Sequence, residues 1–183
     1  MRTNKLLRVT SHESLGCDLK IRLKRHPDGS ASITLTRADG TVTWQRQKGS
    51  LAMVFPSHDL THYAVEQTLG YRSAFYGLVA DGWEISDFAM PWRRGPIPHE
   101  IREVELIVGL FDGIRSKREG WNALQLNTEL ERLAADSRFA RSVCLRTLTD
   151  DELGHIRVVR NDLLARWGAT TRGHVLELDF TRG

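Results

Sequence analysis

Cysteine is nearly absent: Cys17 and Cys144 are the only two in 183 residues, and neither has a partner at metal-ligating spacing. That excludes a disulfide scaffold and a thiolate zinc module, so both cysteines read as reduced packing residues. Long apolar runs are missing too; nothing approaches the roughly 18 consecutive apolar residues of a membrane helix. The basic stretch 1–8 is not followed by the apolar core of a secretory signal. A cytoplasmic protein with no membrane role is therefore expected. Proline is scarce, and three of the five prolines fall within residues 90–98, which must be a loop. There is no repeat, no low-complexity tract and no break in composition. One domain over 1–183 is expected, with residues 1–16, which show no clear period, as a loosely ordered arm.

Charge of one sign does not dominate, but it is unevenly spread. Residues 1–48 hold ten Lys/Arg against four Asp/Glu, a balance of +6, while the remainder holds sixteen against nineteen, a balance of −3. A basic face can attract nucleic acid. Here, however, Lys20, Arg22 and Lys24 alternate with Leu19, Ile21 and Leu23, which is the pattern of a strand with one wet face.

What is present is strand alternation followed by helical periodicity. Leu19–Arg25, Ala31–Arg37 and 41–46 alternate or are rich in β-branched and aromatic residues, and Asp28-Gly29 and Asp39-Gly40 supply the tight turns between them. Three such strands make an antiparallel meander. Helices are expected from Ser57, as N-cap, to Gly70, then over 73–80, from His99 to 115 or 117, over 122–135, and over 149–167. The last begins on a Thr149/Glu152 capping-box pattern. Residues 174–180 alternate again and should return as a strand to the N-terminal sheet, with Leu176, Leu178 and Phe180 buried. The fold class is thus α+β: a meander joined by a C-terminal strand and packed against about five helices.

One stretch argues for chemistry. With 100° per residue, His58, His62, Glu66 and Asp59 fall on a single arc of a helix. Two histidines four apart can reach one ion from one helix, as in metalloprotease helices. Glu66, a turn further on, is the expected third ligand, or the group that orients an imidazole from behind. Asp59 stands where zincins carry a catalytic glutamate, so it is the expected catalytic carboxylate. Being one methylene shorter, it makes standard proteolysis doubtful. Remote ligands to choose among are Glu84, Asp87, His99 and Glu103. A divalent metal is the expected cofactor, zinc first because histidine ligands are common for it; ferrous iron or manganese suit the same trio. Placing His58 in the first helical turn adds a reason for a neutral, metal-binding imidazole. The rival reading is a metal-free cluster in which Asp59 and Glu66 pair with the histidines.

The same segment has a likeness. Pro56-Ser57-His58-Asp59-Leu60-Thr61-His62-Tyr63-Ala64-Val65-Glu66, followed by Leu69-Gly70 and by Phe75-Tyr76-Gly77-Leu78-Val79-Ala80-Asp81-Gly82, resembles a group of bacterial proteins with a P-H-D-L-x-H-Y-x-V-E helix. Trp167 and the closing Leu176-Glu177-Leu178-Asp179-Phe180 look similar too, while Ser57 is an insertion relative to that pattern. The group has no assigned activity, so the resemblance implies no function and no catalytic residues.

Three functions remain on the page. The first is a metal-binding protein, a small metal-dependent hydrolase in its sharpest form, acting on a small molecule. The second is a non-catalytic module that contacts another protein and uses the histidine cluster structurally. The third, least favoured by the strand pattern, is a nucleic-acid-associated factor.

Overall fold

Asp28 and Asp39 each accept hydrogen bonds from the backbone N–H and the hydroxyl of the residue two places on, Ser30 and Thr41. Gly29 and Gly40 beside them take the left-handed conformation (φ 83° and 84°) that a side chain would resist. These two turns fold the first third of the chain into a meander: β1 (Leu19–Arg25), β2 (Ala31–Arg37) and β3 (Val42–Gln47). A computed structural model describes residues 17–112, 120–136 and 145–182 of the chain.

Five α-helices follow among the described residues: α1 (Leu51–Leu69), α2 (Phe75–Ala80), α3 (His99–Asp112), α4 (Ala123–Asp136) and α5 (Asp150–Ala169). A short 3-10 turn spans Ile85–Phe88 between α2 and α3, and β4 (Val175–Phe180) closes the fold. The sheet is antiparallel with order β3-β2-β1-β4, so the C-terminal strand pairs with β1, Leu178 opposite Ile21 and Phe180 opposite Leu19. The protein is α+β, as its alternation and periodicity imply. Leu176, Leu178 and Phe180 are buried. The expected N-terminal arm (1–16), the expected continuation of the long helix to 115 or 117, and Cys144 lie outside the described residues. No helix among the described residues is long and apolar enough to cross a membrane.

Two expectations about α1 need correction. The helix does not start at Ser57; it runs from Leu51 with Ser50 at its N-cap, and Pro56 lies inside it. Proline there forgoes one i→i−4 bond near the open end of the helix, a tolerable loss when the sheet and α5 hold the rest in place. His58 is therefore two turns in, and the argument from the N-terminal dipole does not apply to it. At the other end Gly70 caps the helix with φ 68°, its N–H bonded to the Glu66 carbonyl. The Thr149/Glu152 capping box on α5 is present in both directions.

Helix α1 runs through the middle of the molecule. Leu60 joins the sheet-side core of Leu19, Ile21, Leu23, Leu35 and Phe180. Ala64 and Val65 join the helical core of Val104, Ile107, Leu126 and Ile156. Each such side chain, fully buried, contributes roughly 1.5–3 kcal/mol. The outward face of the sheet carries Lys20 and Arg22, but the β4 register sets Asp179 and Glu177 opposite them, and Arg22 Nε bonds Glu177 Oε1 at 2.8 Å.

The edge strand β3 behaves differently from the others. Val42 and Trp44 point outward, 48% and 64% exposed, while Thr43, Gln45 and Gln47 share the inward parity. The loop after α2 closes over this polar edge. Arg37 at the end of β2 donates to the carbonyls of Val79 and Trp83 and to Glu84, and the Thr43 hydroxyl accepts from the N–H of Ile85. Arg94 in the proline-containing loop is held by Asp87 and by the Gly82 carbonyl, and Trp92 packs against the helical core. That loop is a tied wall of the fold.

Candidate metal centre

Helices α1 and α3 cross so that two histidines of one meet two carboxylates of the other. His58 Nδ1 lies 2.7 Å from Asp112 Oδ2, and His62 Nδ1 lies 3.2 Å from Glu66 Oε1. A carboxylate accepts, so a hydrogen on each Nδ1 meets the carboxylate beside it, and in the neutral form of each ring the lone pair is then on Nε2. On both histidines the same arrangement results: a carboxylate stands behind the ring at Nδ1, and Nε2 is turned the other way. This is the arrangement that orients metal-ligating imidazoles in zinc sites.

In front stands Glu105. Its Oε1 is 3.5 Å from His62 Nε2. That is long for a hydrogen bond, but two ligands about 2.0–2.1 Å from a tetrahedral ion sit roughly 3.3 Å apart. Ligand atoms of His58, His62 and Glu105 all lie within 4.8 Å of one another, and the two imidazole centroids are 4.7 Å apart. His62 is almost completely buried, whereas the Glu105 side chain is 42% exposed, so the group opens to one side.

The residues expected from sequence take up distinct positions. His58 and His62 come together as the helical spacing implies. Glu66 lies behind His62: one oxygen meets the ring, and the other accepts from the backbone N–H of Tyr76 at 2.9 Å. It thereby supplies the side-chain acceptor that the N-cap of α2, Ala74, lacks. A Cβ on the neighbouring Gly77 would fall 2.0 Å from the Arg72 carbonyl oxygen, so this corner admits no other residue. Both Glu66 oxygens are thus engaged, and the front position belongs to Glu105. Asp59 lines the same cavity as His58, His62 and Glu105.

None of the four remote candidates is in the group. Glu84 binds Arg37, Asp87 binds Arg94 and the Glu84 N–H, and Glu103 accepts from the Arg146 N–H. His99 begins α3, far along the helix from Glu105. Glu105 and Asp112 escaped the sequence reading. Their signal is the seven-residue spacing, two turns, which puts two carboxylates on one stripe of the helix on either side of the apolar run 106–111.

The electrostatics follow from burial and pairing. Desolvation raises the Asp59 carboxyl to about 6, against the lowering influence of His58 and His62. Burial pushes the His62 imidazolium down, but Glu105 and Glu66 on its two nitrogens outweigh that and hold it above the ordinary histidine range. Burial raises the Glu66 carboxyl, with His62 opposing. Desolvation works against ionised Glu105 as well, yet His62 keeps its carboxyl below the usual range.

A cavity of about 340 Å³ adjoins the group, walled by Phe55, Phe75, Phe88, Ile33 and Ile85 and reached by Gln45 from the polar edge of β3. No family model matches this chain, and no curated protein or solved structure is similar to it. Any functional reading must come from the site itself.

Proposed function

We propose that this protein binds one divalent metal ion through His58 Nε2, His62 Nε2 and Glu105, and uses it for hydrolysis of a small molecule held in the adjoining cavity. The observation that carries the reading is the pair of carboxylates, Asp112 and Glu66, behind the two histidines, with a third carboxylate 3.5 Å in front of His62. Two imidazoles and one carboxylate suit zinc first, and equally ferrous iron or manganese. The ion would supply Lewis acidity toward a substrate oxygen. The chain supplies the rest. Asp112 and Glu66 fix the ring orientations, Glu105 closes the donor set from a second helix, and Asp59 stands on the cavity wall as the proton-accepting carboxylate. The apolar walls limit the water around the bound molecule, which strengthens every electrostatic contact inside.

A second reading has one observation in its favour. Glu66 and Glu105 flank both nitrogens of His62 and favour its protonated form, so the cluster would also serve as a metal-free clamp between α1 and α3 in a protein-contact module. Elemental analysis of protein purified without a histidine tag separates the two. About one ion per chain in the parent and none in Glu105→Gln supports the metal reading; a metal-free parent that takes up no zinc, iron or manganese overturns it. The nucleic-acid reading is left aside because Glu177 and Asp179 stand beside the basic residues of β1.

A further inference from the structure

The cavity wall carries a charge pattern that narrows the substrate. Asp59 and Glu105 line it, Gln45 enters it, and no lysine or arginine is among the lining residues. A doubly charged cation held there would be balanced by those two carboxylates, leaving nothing to compensate an added anion. Taking a phosphate or carboxylate out of water without a cationic partner is costly, and phosphate-binding sites characteristically supply arginine or lysine for that purpose. The remaining surface is aromatic and aliphatic: Phe55, Phe75 and Phe88 face Ile33 and Ile85. Phe75 and Phe88 lie 4.9 Å apart, and Phe75 reaches His62 at 5.7 Å, so the aromatic wall runs up to the donor group. At about 340 Å³ the cavity sits at the small end of the range for ligand pockets, roughly 300–1,000 Å³.

We infer that the substrate is a small uncharged ester or amide with a ring-sized apolar body, the body lying among Phe75, Phe88 and Ile85 and the carbonyl directed at His58, His62 and Glu105. The inference deepens the metal reading and depends on it for the placement of the carbonyl. Gln45 offers the amide hydrogen bond that a neutral polar group can use and an anion cannot rely on for charge. Hydrolysis here adds water across the acyl bond: the water oxygen bonds to the carbonyl carbon, the C–O or C–N bond breaks, one water proton goes to Asp59, and the second goes to the leaving oxygen or nitrogen, which departs as the alcohol or amine and leaves a carboxylate. The acid product is an anion in a site without a cation, which favours its release.

The test uses the full chain loaded with zinc and two probes of similar size, neutral benzamide and anionic phenyl phosphate, with binding followed by saturation-transfer NMR. The second protein is Ala89→Trp. Ala89 is an exposed residue on the cavity lining and is not a proposed ligand, and a tryptophan there adds bulk at the cavity wall. Benzamide should bind the parent about tenfold more tightly than phenyl phosphate, and should weaken about tenfold in Ala89→Trp. Zinc content, measured on the same samples, should be equal in parent and variant. Zinc retained with no benzamide binding, or with phenyl phosphate the tighter ligand, overturns this inference and leaves the metal reading standing. Benzamide bound in the cavity of protein that takes up no zinc overturns the metal reading, and the hydrolytic placement of the carbonyl with it.

Discussion

Three strands of the sheet and the fourth turn opposite chemistries toward the helices. The inward rows of β1, β2 and β4 include Ile21, Leu35 and Leu178, all buried in a filled core. The inward row of β3 is Thr43, Gln45 and Gln47, and a cavity opens beside Gln45. In a strand the side-chain period is two, so shifting a register by one residue exchanges the whole face. Strand β3 puts its apolar residues, Val42 and Trp44, on the outside, and of its inward-parity residues Thr43 is buried, Gln47 half-buried and Gln45 exposed at the cavity. A sequence selected only for core packing would do the reverse. The difference separates the part of the molecule that fills space from the part that keeps space open next to two histidines and four carboxylates.

The sharpest way to break that comparison is to open a hole on the filled side. Leu178→Ala should lower stability by roughly 2–5 kcal/mol in urea unfolding, from lost transfer energy and the cavity left behind, while leaving metal uptake unchanged. A loss below about half a kcal/mol would make β4 peripheral, in conflict with its pairing to β1. On the other side, Asp112→Asn keeps the shape behind His58 and removes the charge. It should weaken zinc binding about ten- to a hundredfold by calorimetric titration, with little change in the unfolding midpoint. Unchanged affinity would reduce Asp112 to a surface partner of His58. The smallest effect is expected at the outward face of β3, where Trp44→Ala should move stability by no more than about 0.5 kcal/mol. A cost of several times that would mean the tryptophan is covered, and the assigned facing of β3 would have to be given up.

The elements with strong local signals were legible in sequence. Strict alternation in Leu19–Arg25 and Val175–Phe180 gave both the strands and their buried faces, and the Asp-Gly turns, Gly70 and the Thr149/Glu152 box set boundaries found in the structure. The start of α1 was not legible, because Pro56 reads as a helix entrance when it is in fact an interior residue tolerated near the N-terminus. The candidate site was half legible. His58 and His62 share one helix, so their spacing is a local property. Glu105 and Asp112 meet them only because α3 packs across α1, and periodicity cannot say which helix lies against which. Glu66 was correctly placed on the arc, but its second oxygen serves the start of α2, a long-range duty that leaves no mark on its own helix. Which face of β3 turns inward was not read from the sequence, and the cavity lies beside Gln45 on that face.

The central claim is that Glu105, from a separate helix, completes a metal site with His58 and His62. Thermal unfolding of tag-free protein with increasing zinc tests it most directly, run on the parent, His62→Ala and Glu105→Gln. A ligand that binds only the folded state raises its melting temperature, by about 2.7 kcal/mol of added stability at a hundredfold excess over Kd. The account predicts a rise that continues with zinc concentration in the parent and is lost in both variants, with Glu105→Gln otherwise as stable as the parent. A parent that does not respond to zinc, or a Glu105→Gln protein that responds as the parent does, would contradict it.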